Sequence, residues 1–485
     1  MKRYLTLTLA AALTLFAISC GSGDTGDNET TSGESASGEE TTAHVLSDGL
    51  PEKDMEEFEL KLHHFNGAWL SWALTTLDTE AESGERLNDA IYRRNRKIED
   101  RFNCKILVSD QDHILPADIQ KETMSGDSNY DVWFAYDVEL LSAVQYLLPW
   151  EEMPYINLDR EWWNPMATEV FSLDGKTYAA AGNYSLSVIS RASGFTFNKD
   201  IYKTLNPSED VYDLAVNGKW MIDAMYGLAK NAYLDLDGST TMNENDQYGV
   251  SGSWKETFWR FLSGSEVKLV DKGEDGGLVF DLPKNEAAVN KMLKIFDLFT
   301  EEGVYYNPQT KDVHRVLDSE EIFAAGRLLF KTVNFFDLET LRTYDIDIGI
   351  LPCPKYDEDQ ENYYAPSFGA EISVILKTLP DERKENVGIL LEALAFDTNS
   401  NLLPEYKEVL LKTKYARDNE SEKMIDIILN SISFEFGINA WQNTVGVPLV
   451  QKIYMAGDNN IASTLAGMES TVKSAIDNLK KSLDS

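Results

Sequence analysis

The stretch Phe58-Glu59-Leu60-Lys61-Leu62-His63-His64-Phe65 alternates apolar and polar positions, and a period of two predicts a strand. The period changes over Arg86 to Phe102, where Leu87, Ala90, Ile91 and Ile98 recur at helical spacing among charges. Cys104 to Val108 reads as a second strand, Pro116 to Met124 as a short helix, and Asp131 to Ala135 as a third, largely apolar strand. A helix is expected from Val138 to Tyr146. This alternation predicts a parallel sheet with helices on its faces, and such sheets bind ligands at the carboxyl ends of their strands. Asn66-Gly67-Ala68-Trp69 and Tyr136-Asp137 fall at that rim.

Further strands are expected at Lys176 to Ala180 and Ser187 to Asn198. The pattern then turns helical at Tyr212 to Val216, Met221 to Ala232, Asn285 to Glu302 and Ser319 to Ala325. Strands return at Arg327 to Val333, Asp345 to Leu351 and Ala370 to Leu376. From Lys384 onward the chain reads as almost wholly helical, including Met424 to Leu429 and Ala462 to Leu483. The α/β signal is thus interrupted, resumed and followed by helices, with no internal repeat.

The N-terminus changes the picture. Met1-Lys2-Arg3 is a short basic region, and Leu5 to Ile18 is an apolar run too short for a comfortable membrane span. It ends in Phe16-Ala17-Ile18-Ser19-Cys20, which resembles a bacterial lipobox with Ala17 in place of the usual Leu. That resemblance implies cleavage after Ser19, lipidation of Cys20 and export to the outer or periplasmic face of a cell membrane; the bland alternative is an ordinary secretory signal with a chance Cys. Residues 20–51 are rich in Gly, Ser, Thr and acids and are expected to form a disordered, self-repelling tether. About 430 residues remain, more than one hydrophobic core usually organises, so two lobes are expected.

Acidic residues number 81 against 44 basic ones, a formal net charge of −37. Nucleic-acid phosphates would be repelled by such a surface, whereas an exported soluble protein suits it. Besides Cys20 there are only Cys104 and Cys353, better read as buried thiols than as a disulfide. Trp133 and Trp220 read as core, Trp162-Trp163 as packing, and His63-His64 as structural, since neighbours on a strand point to opposite faces.

One loop carries metal-like spacing. Counting Asp235 as position 1 places Asp237 at 3, Ser239 at 5, the Thr241 carbonyl at 7, Asn243 at 9 and Asp246 at 12, so every slot of an EF-hand-type loop offers an oxygen. Ser239 is a neutral ligand, Asp246 is shorter than the usual Glu, and Thr240 stands where the sharp turn wants Gly. A structural Ca2+ site and an Asx/Gly turn are the two readings; no cofactor is required by either.

The order of several segments resembles the family 1 extracellular solute-binding proteins, the class that includes maltodextrin-binding proteins. The segments are YDVWFAYD (130–137), LPWEEMPYINLDREWWNP (148–165), GKTYAAAGNYS (175–185), GFTFNKDIY (194–202), VNGKWMIDAMYGLAK (216–230), GRLLFKTVNFF (326–336), DIGILPCPKYDEDQENYY (347–364) and KYARDNESEKMIDII (414–428). The resemblance spans nearly all of 58–485 and implies a two-lobed, periplasmic-binding-protein-like α/β fold with hinge-linked discontinuous lobes and a helical C-terminal region. Lobe one is expected at 52–190 and 361–403, and lobe two at 191–360 and 404–485. Crossings are implied near Ser187 to Thr196, Lys355 to Pro366 and Asn401 to Tyr406.

The resemblance also implies a monomer that is not an enzyme. Such a protein captures a small molecule by hinge closure and delivers it to the permease subunits of an ABC importer. Some members carry an EF-hand-like calcium loop in the second lobe. Sugars present flat C–H faces and hydroxyls, which aromatic rings with planar polar partners satisfy. Candidate ligand contacts are therefore Trp69, Tyr136, Asp137, Tyr184, Trp254, Asn334, Phe335 and Trp441, each of which could instead be packing. An oligosaccharide is the expected ligand. A peptide or other solute, a sensory or adhesion lipoprotein of the same fold, and a secreted glycan-acting enzyme are the rivals. No GxSxG elbow, HExxH or phosphate loop is present.

Overall fold

The computed structural model describes residues 47–65, 74, 76–307, 319–341, 343–412 and 419–484. Trp69 and Cys20, with the signal segment and most of the tether, lie outside the described residues. The chain divides after Ser47, and the architecture that follows is that of Asp48–Ser485.

Two four-stranded sheets organise this unit. In the first, β1 (Phe58–Phe65) pairs in parallel with β2 (Cys104–Gln111) on one side and with β3 (Val132–Tyr136) on the other. The second sheet comprises β4 (Ser193–Asn198), β5 (Tyr248–Ser251), β6 (Leu328–Asn334) and β7 (Ile348–Pro352), in the order β7-β4-β6-β5. There β6 runs parallel to β5 and antiparallel to β4. The chain then returns to the first sheet, where β8 (Glu371–Val374) pairs antiparallel with β3. Asp381–Asp397 leaves as a helix, passes through a π-helical turn at Thr398–Leu402 and continues as Leu403–Lys412. Asn419–Leu429 packs on β7 of the second sheet. The protein is therefore a two-lobed α/β fold whose lobes are both discontinuous in sequence, joined by three passages.

The elements follow from their patterns. Arg86–Phe102 buries Ile91, Arg94, Asn95, Ile98 and Phe102, an i, i+3, i+4, i+7 stripe, and ends where Asn103 turns left-handed at φ 49°. Ile461–Leu483 buries Ile461, Leu465, Met468, Val472 and Leu479 along one face. That face lies against both the Leu140–Tyr146 turn of lobe one and the Glu286–Thr300 helix of lobe two. Val132 to Ala135 is buried at every position, as an interior strand of a sheet covered on both faces must be. Trp162 and Trp163 both donate indole N–H bonds to the buried Glu392 carboxylate, at 2.9 and 3.0 Å.

Three local expectations differ. Ser187 to Asn198 was expected as one strand, yet Ser187–Ser190 is a helical turn and only Ser193–Asn198 is extended. The serines bond locally: Ser190 Oγ donates to Ser187 O at 2.9 Å, and Ser187 Oγ accepts the Glu371 N–H at 2.9 Å. The segment after Asp137 is a 3-10 turn, Leu140–Tyr146, entered through a left-handed Glu139. Trp254–Gly264 forms a helix that was not expected, although Trp254, Phe258, Phe261 and Leu262 recur at helical spacing; it is buried continuously from Thr257 to Gly264. Cys104 and Cys353 are both buried and unpaired, each serving as a small apolar side chain.

Candidate binding site between the two sheets

The carboxyl end of β3 and the carboxyl end of β6 meet at a buried polar cluster. From lobe one comes Asp137, 1% exposed. Its Oδ2 accepts the Asn439 Nδ2–H at 2.8 Å and the Gly369 N–H at 3.3 Å. Oδ1 has no hydrogen-bond partner among the described residues. Burial pushes this carboxyl up to about 7, against the lowering effect of those bonds and of Arg191. Tyr136 stands beside it half-buried, its phenol pushed up by burial and then by Asp137.

From lobe two comes Asn334, whose Oδ1 accepts from Arg260 Nη2 at 2.8 Å and from Ser193 Oγ at 3.2 Å. Its backbone N–H and amide donate to Asp337 at 3.0 and 3.1 Å, which fixes the amide's orientation. Arg191, on the first passage between lobes, donates from Nε to Phe368 O at 2.5 Å and lies 3.7 Å from Glu256. Arg260 lies 3.3 Å from the other Glu256 oxygen. Burial pushes the Glu256 carboxyl up, but Arg191, Arg260 and Lys255 together hold it below its ordinary range. Lys255 donates to Gln442 Oε1 at 3.2 Å. Glu139 closes the edge, accepting the Asn443 and Thr444 N–H groups at 3.0 and 3.2 Å, at the start of the helical run that begins at Gln442.

The structure thus brings Tyr136, Asp137 and Asn334 to one place. Trp254 opens the helix that carries Lys255, Glu256 and Arg260, and is half-buried. Tyr184 is instead a packing residue: its Oη bonds Ser373 Oγ, and its ring stands edge-on to Phe134 and Trp163. Phe335 is buried in the apolar cluster that includes Leu338 and Leu341. Trp441 is 5% exposed and meets Phe436 edge-on at 4.9 Å. Arg191, Glu256, Arg260 and Asn439 were not singled out from sequence. A signal existed for Arg260, a lone charge between Trp259 and Phe261 in an otherwise apolar turn, and for Arg191, a lone charge entering a buried strand.

A cavity of about 1120 Å3 lies elsewhere between the lobes, lined by Trp163, Asn183, Tyr363, Leu403, Lys407 and Ile432 among others. It shares no residue with the polar cluster, and none of its lining side chains has a buried polar atom without a partner. Asp137 Oδ1 and Arg260 Nε are buried without a partner among the described residues and lie where the strand ends of the two sheets meet, the position at which such sheets bind ligands, and that position is the candidate site.

In the metal-like loop, carboxylate oxygens of Asp235, Asp237 and Asp246 lie within 4.8 Å of one another. Asp246 is fully buried and accepts the Leu236 and Asn243 N–H groups at 2.9 Å each. Thr240 takes the left-handed conformation, φ 62°, that the sequence made awkward. The Asn243 amide donates to Asp237 Oδ2, Ser239 Oγ and Thr241 O, oxygens that form part of the hard donor set expected of calcium.

No protein-family description matches the chain. No curated protein matches it either. Among solved structures the chain is similar to an ABC substrate-binding protein from Listeria monocytogenes in complex with cycloalternan. The two share 14% identity over 88% of this chain and 99% of that one, with a TM-score of 0.48.

Proposed function

We propose that the protein is the solute-binding component of an ABC importer and captures a carbohydrate, an oligosaccharide in the first instance, between its two lobes. The observation that carries this reading is the buried cluster at the facing strand ends. Asp137 from one lobe and Asn334 with Arg260 from the other present planar polar groups beside Tyr136, and Trp254 opens the helix that carries Arg260. Planar acceptors and donors flanked by rings suit hydroxyls and the flat faces of a sugar. The three passages between lobes are the elements about which such a site would open and close. The order of family-like segments in the sequence supports the same reading, and the lipobox-like Ile18-Ser19-Cys20 supports a lipid anchor at Cys20 on the outer face of a membrane.

In this proposal the loop Asp235 to Asp246 holds a structural Ca2+. Asp235, Asp237 and Asp246 would supply carboxylates, Ser239 a hydroxyl, Thr241 a carbonyl and Asn243 a side-chain ligand. The ion would brace the loop and take no part in solute capture.

The test is the melting temperature across a panel of oligosaccharides and peptides. A ligand at a hundred times its Kd adds about 2.7 kcal/mol to stability. A saturable shift with one glycan class supports the reading. A shift with peptides alone contradicts it.

A further inference from the structure

The cavity of about 1120 Å3 is walled by all three passages between the lobes: Ile189 from the first, Tyr363 and Tyr364 from the second, Asn399 and Leu403 from the third. Two residues beyond Ile189 stands Arg191, and four beyond Tyr364 stands Phe368, whose carbonyl accepts the Arg191 Nε–H at 2.5 Å. An Ala192–Ser367 bridge pairs the same two passages. The passages therefore lie between the polar cluster on one side and the cavity on the other.

The wall is aromatic and amide in character. Trp163, Tyr363 and Tyr364 line it, and the polar tip of each is committed elsewhere: the indole N–H to Glu392 at 3.0 Å, the Tyr363 hydroxyl to Ala215 O at 3.0 Å and the Tyr364 hydroxyl to Glu266 at 2.7 Å. What these rings offer an occupant is carbon. Asn183 Nδ2 donates to Asn399 Oδ1 at 2.9 Å, and Asn399 Nδ2 donates to Glu161 at 2.9 Å, a relay from lobe one to the third passage. The half-buried Asn183 keeps its Oδ1 without a partner among the described residues. Amides both donate and accept, as hydroxyls do. Lys407, the one cation among the described lining residues, is paired with Asp426, and Glu161 and Glu361 leave the wall with an excess of carboxylates. That excess disfavours anions, whereas carbon faces and amides suit a neutral sugar. Ligand pockets run about 300–1,000 Å3, so a short oligosaccharide fits the volume.

We propose that this cavity is a second carbohydrate site, for a neutral saccharide, set behind the passages and coupled to capture at the strand ends. Rotation about the passages that parts the lobes at the strand ends narrows the opposite side. In the structure, Asp137 and Glu139 of lobe one are bonded to Asn439, Asn443 and Thr444 on the strand-end side while the cavity stands open. An occupant of the open cavity favours that arrangement, and by linkage each site then tightens the other. The class of ligand rests on the carbohydrate reading; the existence of a second site does not.

The experiment is calorimetric titration of the full chain with neutral oligosaccharides of glucose, xylose and mannose. The expected result, for at least one of them, is two sites per chain that fill cooperatively. Asn183→Ala should weaken one of the two at least tenfold, and Asp137→Asn the other. A single site that Asp137→Asn weakens and Asn183→Ala does not would overturn the proposal and leave the carbohydrate reading intact. A single site weakened by Asn183→Ala alone would also overturn it, leaving the cavity as the place of capture. Two sites that fill independently would overturn the coupling, and no binding of any glycan would overturn both readings. Hydrogen exchange of the parent protein at saturating glycan needs no variant. It should show protection at Asn183, Tyr363–Tyr364 and Asn399–Lys407 together with Tyr136–Glu139, and protection at Tyr136–Glu139 alone would overturn the second site.

Discussion

Asn439 donates its side-chain amide to the Asp137 carboxylate at 2.8 Å, across 302 positions of sequence. The same Nδ2 also donates to Ser367 O at 2.7 Å, and Asn439 Oδ1 accepts the Glu435 N–H at 2.9 Å. One buried amide therefore ties the end of β3, the return passage and the C-terminal helical region together. Asn439→Ala would leave a buried acceptor and donor without partners. It should cost about 1–3 kcal/mol in urea unfolding at constant m-value. An unchanged midpoint would mean that these groups find water or other partners.

Stability should fall as pH rises from about 4 toward 7. Asp137, Glu371 and Glu435 are each pushed up to about 7, burial being the largest cause in all three. An acid with a raised folded pKa keeps its proton in the native state where the unfolded chain has lost it. Its stabilising contribution is thus fully present below the ordinary carboxylate pKa, roughly 4, and is lost as pH climbs through the folded value. Glu371→Gln is the informative variant, because Oε1 already accepts the Phe65 N–H at 3.0 Å and Oε2 has no partner among the described residues. Melting temperature against pH should be flatter in that variant. An identical slope would assign the dependence to surface repulsion.

Glu392 satisfies two indoles at once. Glu392→Ala should therefore strand both Trp162 and Trp163 N–H groups in the core and cost about 2–5 kcal/mol, read from chemical denaturation. A loss below 1 kcal/mol, about the worth of one ordinary hydrogen bond, would show that the pair is held by packing alone.

Calcium should raise the melting temperature of the protein, and a chelator should reverse the rise. Asp235→Ala should abolish the response while leaving the chelated melting temperature nearly unchanged, since Asp235 is partly exposed and bonds only its own loop. A calcium response that survives Asp235→Ala places the ion elsewhere. No response in the parent protein makes the loop a turn.

Much of the scaffold was legible because its elements keep one period each. Alternation in Phe58–Phe65 and the stripe in Arg86–Phe102 gave both elements directly. Trp254–Gly264 was overlooked although Trp254, Phe258, Phe261 and Leu262 recur at helical spacing among Lys255, Glu256 and Arg260. The site split along the same line. Tyr136, Asp137 and Asn334 were marked by their position after strands, where the fold puts ligands. Arg191 and Arg260 were missed because a lone charge in an apolar run reads as an anomaly until the partner is known, and Glu256 lies 65 residues from Arg191. Asn439 pairs with Asp137 through a contact that no local pattern reports. Tyr184, read as a ligand contact, sits among Phe134 and Trp163, since position near a crossing does not fix which way a ring packs.

The central claim is that solute binds where the strand ends of the two lobes meet. Hydrogen–deuterium exchange, measured with and without the oligosaccharide that gives the largest thermal shift, tests it most directly. Protection is predicted at Tyr136–Glu139, Arg191–Ser193, Trp254–Arg260, Asn334–Asp337 and Asn439–Thr444. Protection confined to Glu361–Tyr364, Leu403–Lys407 and Asp426–Ile432, which line the 1120 Å3 cavity, would contradict the claim and move the site there.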